Sequence, residues 1–254
     1  MKHFVHENSI VRRIWGKSDT ILLIFAGAAA EFALNKAVDW LYFTGKLPAD
    51  PIGRLFSTVG YARTIVFSEE DKAFRAIDAI NAIHAGVETD RRAKIPQAAY
   101  RDVLFLLIGY SIRCFEVLER PMTKDEKLEV LDVFLRMGRR MEIVDVPGTF
   151  DQWQRQRKEH MEQNLQRGQY TDHLIDQYRH HLGPWRYRIL REAQALIVPE
   201  KVRKLLGLRG FSLLSPLIPL YKLARRLKLD RLVKALIVPP QYEREVKTLD
   251  RVVV

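Results

Sequence analysis

The stretch Gln97-Ala98-Ala99-Tyr100-Arg101-Asp102-Val103-Leu104-Phe105-Leu106-Leu107-Ile108-Gly109-Tyr110-Ser111-Ile112-Arg113-Cys114-Phe115-Glu116-Val117-Leu118-Glu119 decides the fold. It is too long and too evenly apolar for one strand, and it carries no strict alternation. Its run from residue 103 to 108 covers more than one face of a helix, which places that helix near the centre of a core. Outward from it, no stretch of four or more residues alternates as a strand, and helical spacing recurs along the chain. The expected fold is all-α: a helical bundle with a basic, amphipathic C-terminal extension.

Start and stop residues divide the bundle. Asp19 is placed to cap a helix over residues 20–42, stopped by the Gly45, Pro48 and Pro51 segment. Pro51 suits the first turn of a second helix, over 51–67. Ser68 with Glu69, Glu70 and Asp71 opens a third, over 69–87. Thr123 caps a helix over 124–141 with Lys127 taken as the box position, and Pro147, Gly148 and Thr149 precede another over 150–166. A further helix from about 170 closes at Gly183-Pro184, followed by helices over 185–198, 200–206 and 220–238.

Composition and charge set the class. The chain has 254 residues, 47% apolar and 29% charged, which excludes global disorder. Residues 1–185 carry 26 basic and 25 acidic side chains, whereas residues 186–254 carry 16 and 6, so nearly all of the +11 net charge is C-terminal. A division into residues 1–210 and a basic segment 211–254 follows. Cys114 stands alone, so no disulfide framework exists, which fits a reducing compartment. Arg12-Arg13 ahead of the apolar run 21–30 is similar to an export signal, but Glu31, Lys36 and Asp39 follow at once. The run is too short to span a bilayer and reads as a buried helix. A cytoplasmic, peripherally membrane-bound protein is expected.

One constellation carries chemistry. Arg54 and Thr58 stand four residues apart on the second helix, and His84 shares the apolar side of the third with Phe74, Ile77, Ile80 and Val87. If the two helices fold back about Ser68, Arg54 lies about 21 Å before the turn and His84 about 24 Å after it, nearly level. The bland alternatives are a satisfied core histidine, an arginine paired with Asp78 or Glu31, and a threonine hydroxyl bonded to its own helix backbone.

The order Asp50-Pro51-Ile52-Gly53-Arg54-Leu55 with Thr58, Val66-Phe67, Ile83-His84-Ala85-Gly86-Val87 and Val198-Pro199-Glu200-Lys201-Val202-Arg203 with Gly207-Leu208 resembles one family. It is the oxygenase family that includes latex-clearing rubber oxygenase and the MpaB oxygenase, over roughly residues 10–210. The resemblance implies a globin-like core and a haem b cofactor with His84 as proximal iron ligand. It places Arg54 and Thr58 beside the haem as binding and catalytic residues. It also implies a dioxygen-dependent oxidoreductase acting on an apolar, isoprenoid or lipid-like substrate. A neutral imidazole on an apolar wall is what haem iron requires axially, and Arg54 suits a propionate.

The departures from the family are local. Ser57 stands where rubber oxygenase has a lysine that can cap the iron, Asn35-Lys36-Ala37-Val38 where many members have His-Pro, and Glu88-Thr89-Asp90 where a glycine is usual. His160, His173, His180 and His181 match no helical metal-ligand spacing and read as a solvated surface.

The segment 211–238 mixes Leu213, Leu214, Leu217, Ile218, Leu220, Leu223, Leu227, Leu232 and Leu236 with Lys222, Arg225, Arg226, Lys228, Arg231 and Lys234. Such a helix can bury leucines at a headgroup boundary while cations meet anionic lipid. Folded onto the core, it would instead expose a basic face. Phe211 and Tyr221 are its only aromatics, which argues against a nucleic-acid partner. The expected function is a haem-dependent oxygenase at a membrane surface; the alternative is a non-catalytic helical protein that binds membrane or an apolar ligand.

Overall fold

The computed structural model describes residues 2–227, 229, 234 and 237–250. The fold is all-α, and β structure among the described residues is limited to isolated bridges. The helices are α1 (Ile10–Trp15), α2 (Ser18–Phe32), α3 (Asp39–Phe43), α4 (Lys46–Ala49), α5 (Pro51–Phe67), α6 (Glu70–Arg91) and α7 (Gln97–Leu118). They continue as α8 (Lys124–Arg140), α9 (Phe150–Asn164), α10 (Gln169–Ile197), α11 (Glu200–Leu205), α12 (Ile218–Arg226) and α13 (Glu243–Leu249).

As its apolar run requires, α7 is the central helix, packing on α1, α2, α8, α9 and α10. Leu104, Phe105, Leu106, Ile108, Tyr110, Cys114 and Phe115 are all buried. The Ala26-Gly27-Ala28-Ala29-Ala30 run makes α2 thin enough to approach it closely. A Cβ at Gly27 would overlap the Tyr110 ring. Buried α2 is therefore a core element, and among the described residues no helix is long and apolar enough to cross a membrane.

Where the helices were expected to differ, local hydrogen bonds decide. The long first helix is cut at Phe32, because the Asn35 side chain accepts from the Ala37 N–H and starts a new turn. Lys17, not Asp19, is the N-cap residue of α2; Asp19 lies inside the first turn and pairs with Arg225. Ser9 caps the short α1, which the sequence pattern did not single out. Ser68 ends α5 instead of opening α6, and α6 runs on to Arg91, with Arg92 left-handed at φ 53°. The box partner of Thr123 is Glu126, one residue before Lys127, with both reciprocal bonds formed. Gly183 breaks the helical path of α10 at φ 72° just before Pro184, as expected.

The C-terminal segment lies against the bundle. Tyr221 donates to Asp19, Lys222 to the Glu119 carbonyl, and Arg225 bonds Asp19, Glu119 and the Leu118 carbonyl. The inward side of α12 is thus its cationic edge, so the exposed basic face expected of a folded-back segment is not what it shows. Beyond Arg226, most of the helix expected to reach Val238 lies outside the described residues. α13 then packs on α2.

Candidate functional site

The site begins at the cap of α5. Asp50 accepts from the Gly53 N–H at 2.8 Å, Pro51 occupies the first turn, and Tyr242 donates its hydroxyl to the same carboxylate at 2.8 Å. A Cβ on Gly53 would collide with the Asp50 carboxylate, so the Asp-Pro-x-Gly sequence is the steric requirement of this cap. The cap fixes where α5 starts and hence which way Arg54 projects.

Arg54 donates to Ser57 Oγ at 3.0 Å and forms no ion pair among the described residues. The two acids the sequence offered it are taken elsewhere. Glu31 holds Arg157 through two bonds of 2.8 and 2.7 Å, and Asp78 holds Arg140. Ser57 and Thr58 both donate to the Arg54 carbonyl, at 2.8 and 3.1 Å, and both are exposed. For Thr58 this is the simple backbone bond open to it from sequence, and no contact joins it to His84.

Arg54 and His84 come into each other's field because α5 packs along α6. Burial first, and the Arg54 charge second, hold the half-buried imidazole below its ordinary pKa, with Glu88 acting weakly the other way. His84 Nδ1 is buried without a hydrogen-bond partner, and an orphaned buried ring nitrogen requires an explanation. The Tyr100 ring, from the start of α7, lies tilted against the imidazole with centroids 5.1 Å apart.

Glu88, one turn beyond His84, is held by Lys94 at 2.6 Å and by the Ile95 N–H at 3.0 Å. The Lys94 bond leads in keeping its carboxyl below the usual range, and the Tyr100 hydroxyl contributes. Burial and then Glu88 push the Tyr100 phenol up to about 12. Tyr100 and Glu88 were not among the expected site residues. The i, i+4 spacing of His84 and Glu88 was visible, but the approach of Tyr100 depends on how α7 docks.

The other histidines are dispersed. His173 meets the Tyr42 hydroxyl and Gln177. His160 is not solvated as expected: it pairs with buried Asp102, which also accepts from Asn35 and Asn164. No group of three metal-ligating side chains occurs among the described residues. A concavity of about 700 Å³ lies on another side of α5, lined by Phe56, Val59, Arg63 and Thr64, and includes neither Arg54 nor His84.

His84 could serve as a nitrogen ligand to a metal-bearing cofactor, with Arg54 as its nearby cation. The imidazole is biased to its neutral form, one ring nitrogen lacks a partner, and a cation without a carboxylate stands beside it. The family described as ER-bound oxygenase mpaB/B'/rubber oxygenase, catalytic domain, matches residues 12–229. No curated protein and no solved structure matches the chain.

Proposed function

The chain belongs to the mpaB/rubber oxygenase family and spans its catalytic domain, and on that footing we propose that it is a haem b-dependent oxygenase acting on an apolar, isoprenoid or lipid-like substrate at a membrane surface. The observation that carries this reading is His84, a half-buried imidazole with an unpartnered Nδ1 beside an arginine that has no acid. His84 would supply the axial nitrogen and Arg54 the positive charge for a propionate. Bound there, haem supplies the capacity to bind and activate dioxygen.

The chain's own contribution is orientation and charge. Tyr100 limits rotation of the His84 ring, and Glu88 ties Tyr100 to the loop after α6 through Lys94 and Ile95. Ser57 holds Arg54 by its Nη1, so the guanidinium is preset rather than free. Ser57 supplies no amine, and Thr58 is positioned to support the Arg54 turn rather than to reach His84.

The test is the absorption spectrum of protein purified after haem-replete expression. A Soret band is expected, lost in His84→Ala and weakened in retention in Arg54→Gln. An unchanged band in His84→Ala would remove the axial assignment. No band at all would favour a non-catalytic helical protein that binds membrane or an apolar ligand.

A further inference from the structure

Amphipathic helices normally turn their apolar face to the core; α12 does the reverse. Its polar edge is bonded inward through Tyr221, Lys222 and Arg225 to Asp19 and to the end of α7. Its leucines point outward: Leu220 is 63% exposed, Leu223 51% and Leu227 61%. The segment leading into it adds Phe211 at 62%, Leu213 at 55% and Leu217 at 51%. A cluster of this kind on a folded surface marks a site that another apolar phase covers.

The charge around it selects the occupant. From residue 201 to 229 there are eight lysines and arginines and no acid. Arg225 and Lys222 are consumed in holding the helix and Arg209 pairs with Glu192 at 3.7 Å, whereas Arg226 remains exposed at its end. A second copy of the chain would bring the same cationic segment against this one, an excess of like charge. An anionic bilayer offers hydrocarbon to the leucines and phosphate or carboxylate to the arginines.

We propose that Phe211, Leu213, Leu217, Leu220, Leu223 and Leu227 form a preformed docking face for anionic membrane, held leucine-outward by the Asp19–Arg225–Glu119 bonds. The face does not depend on haem, although it deepens the membrane part of the proposed function. It anchors at the Leu118 end of α7, about 27 Å along the helix from Tyr100 and the His84 wall.

The experiment is co-sedimentation of the full chain with phosphatidylcholine vesicles, with and without about 30% phosphatidylserine, alongside light scattering of the free protein. Binding is expected with phosphatidylserine and at least about tenfold weaker without it. Leu220→Ser/Leu223→Ser should weaken it by about tenfold or more, because both side chains are already exposed and contribute to the bound state alone. Asp19→Asn should leave the leucines in the sequence but loosen the helix from the bundle, weakening binding less than the leucine substitutions. Absence of binding by the wild-type chain overturns the proposal. So does a stable dimer that the leucine substitutions dissociate, since that identifies a second copy as the occupant. Sedimentation reads no haem and the Soret band reads no lipid, so failure of one reading leaves the other standing.

Discussion

Removing Arg157 tests how the bundle is tied together. Arg157 of α9 is 7% exposed, Glu31 of α2 is 3% exposed, and their two bonds are 2.8 and 2.7 Å. Tyr110 of α7 donates to the same carboxylate at 2.9 Å, so three helices meet at one buried anion. Burial and the adjacent Glu31 push the Tyr110 phenol well up, which keeps it a donor at any ordinary pH. With charge centres roughly 4 Å apart, the pair attracts by about 4 kcal/mol at an effective dielectric near 20. This is comparable with the cost of desolvating the ions. The pair therefore contributes little net stability, yet breaking it is costly. Arg157→Leu leaves Glu31 with the Tyr110 hydroxyl alone, and a loss of about 3–5 kcal/mol is expected. At this chain length that is a fall in Tm of about 10 °C. Glu31→Gln/Arg157→Leu should recover most of it, because a neutral amide still accepts from Tyr110. Urea melts of both variants and the wild type decide the matter. A single variant within about 1 kcal/mol of wild type, or a double variant no better than the single, would refute the argument.

In the haem-free protein the His84 imidazole should titrate below 6.5 by NMR. The folded form then resists a proton that the unfolded chain accepts, so stability falls as pH drops below about 6.5 and levels off beneath the folded value. Arg54→Gln should move the His84 titration upward; a His84 resonance titrating at 6.5 or above in the wild type contradicts the burial argument. Gly27→Leu should cost about 1–3 kcal/mol or more by forcing Tyr110 from its seat. Gly60→Ala on α5, with nothing within 4 Å of the added carbon, should be neutral or stabilising in the same thermal melt. Cys114, whose thiol burial pushes well up, should resist iodoacetamide in the folded chain and react once urea unfolds it; rapid labelling under native conditions would contradict its place in the core.

The all-α class was legible because one long apolar run can be satisfied only by a helix surrounded on several sides, and α7 is so surrounded. That the Arg54 charge would reach His84 was legible for a geometric reason: two helices joined at Ser68 with nearly equal arms bring those positions level. The capping errors had a common cause. Asp19 has the chemistry of an N-cap, but its carboxylate gains more from Arg225 and Tyr221, more than two hundred residues away. Asn35 looked like an interior helix residue until its amide bonded Asp102.

The sequence by itself determined what was local and periodic: the helical class, the turn at Gly183-Pro184, Pro51 in the first turn of α5, and the placing of a histidine on the apolar side of α6. Only the tertiary structure decided which acids were already taken, and so left Arg54 without one and His84 Nδ1 without a partner. It also decided which way α12 faces. A leucine–arginine pattern records that a helix has two faces, but the acids at Asp19 and Glu119 determine which face turns inward, because a buried or half-buried charge must find its counter-charge before an apolar surface finds its cover.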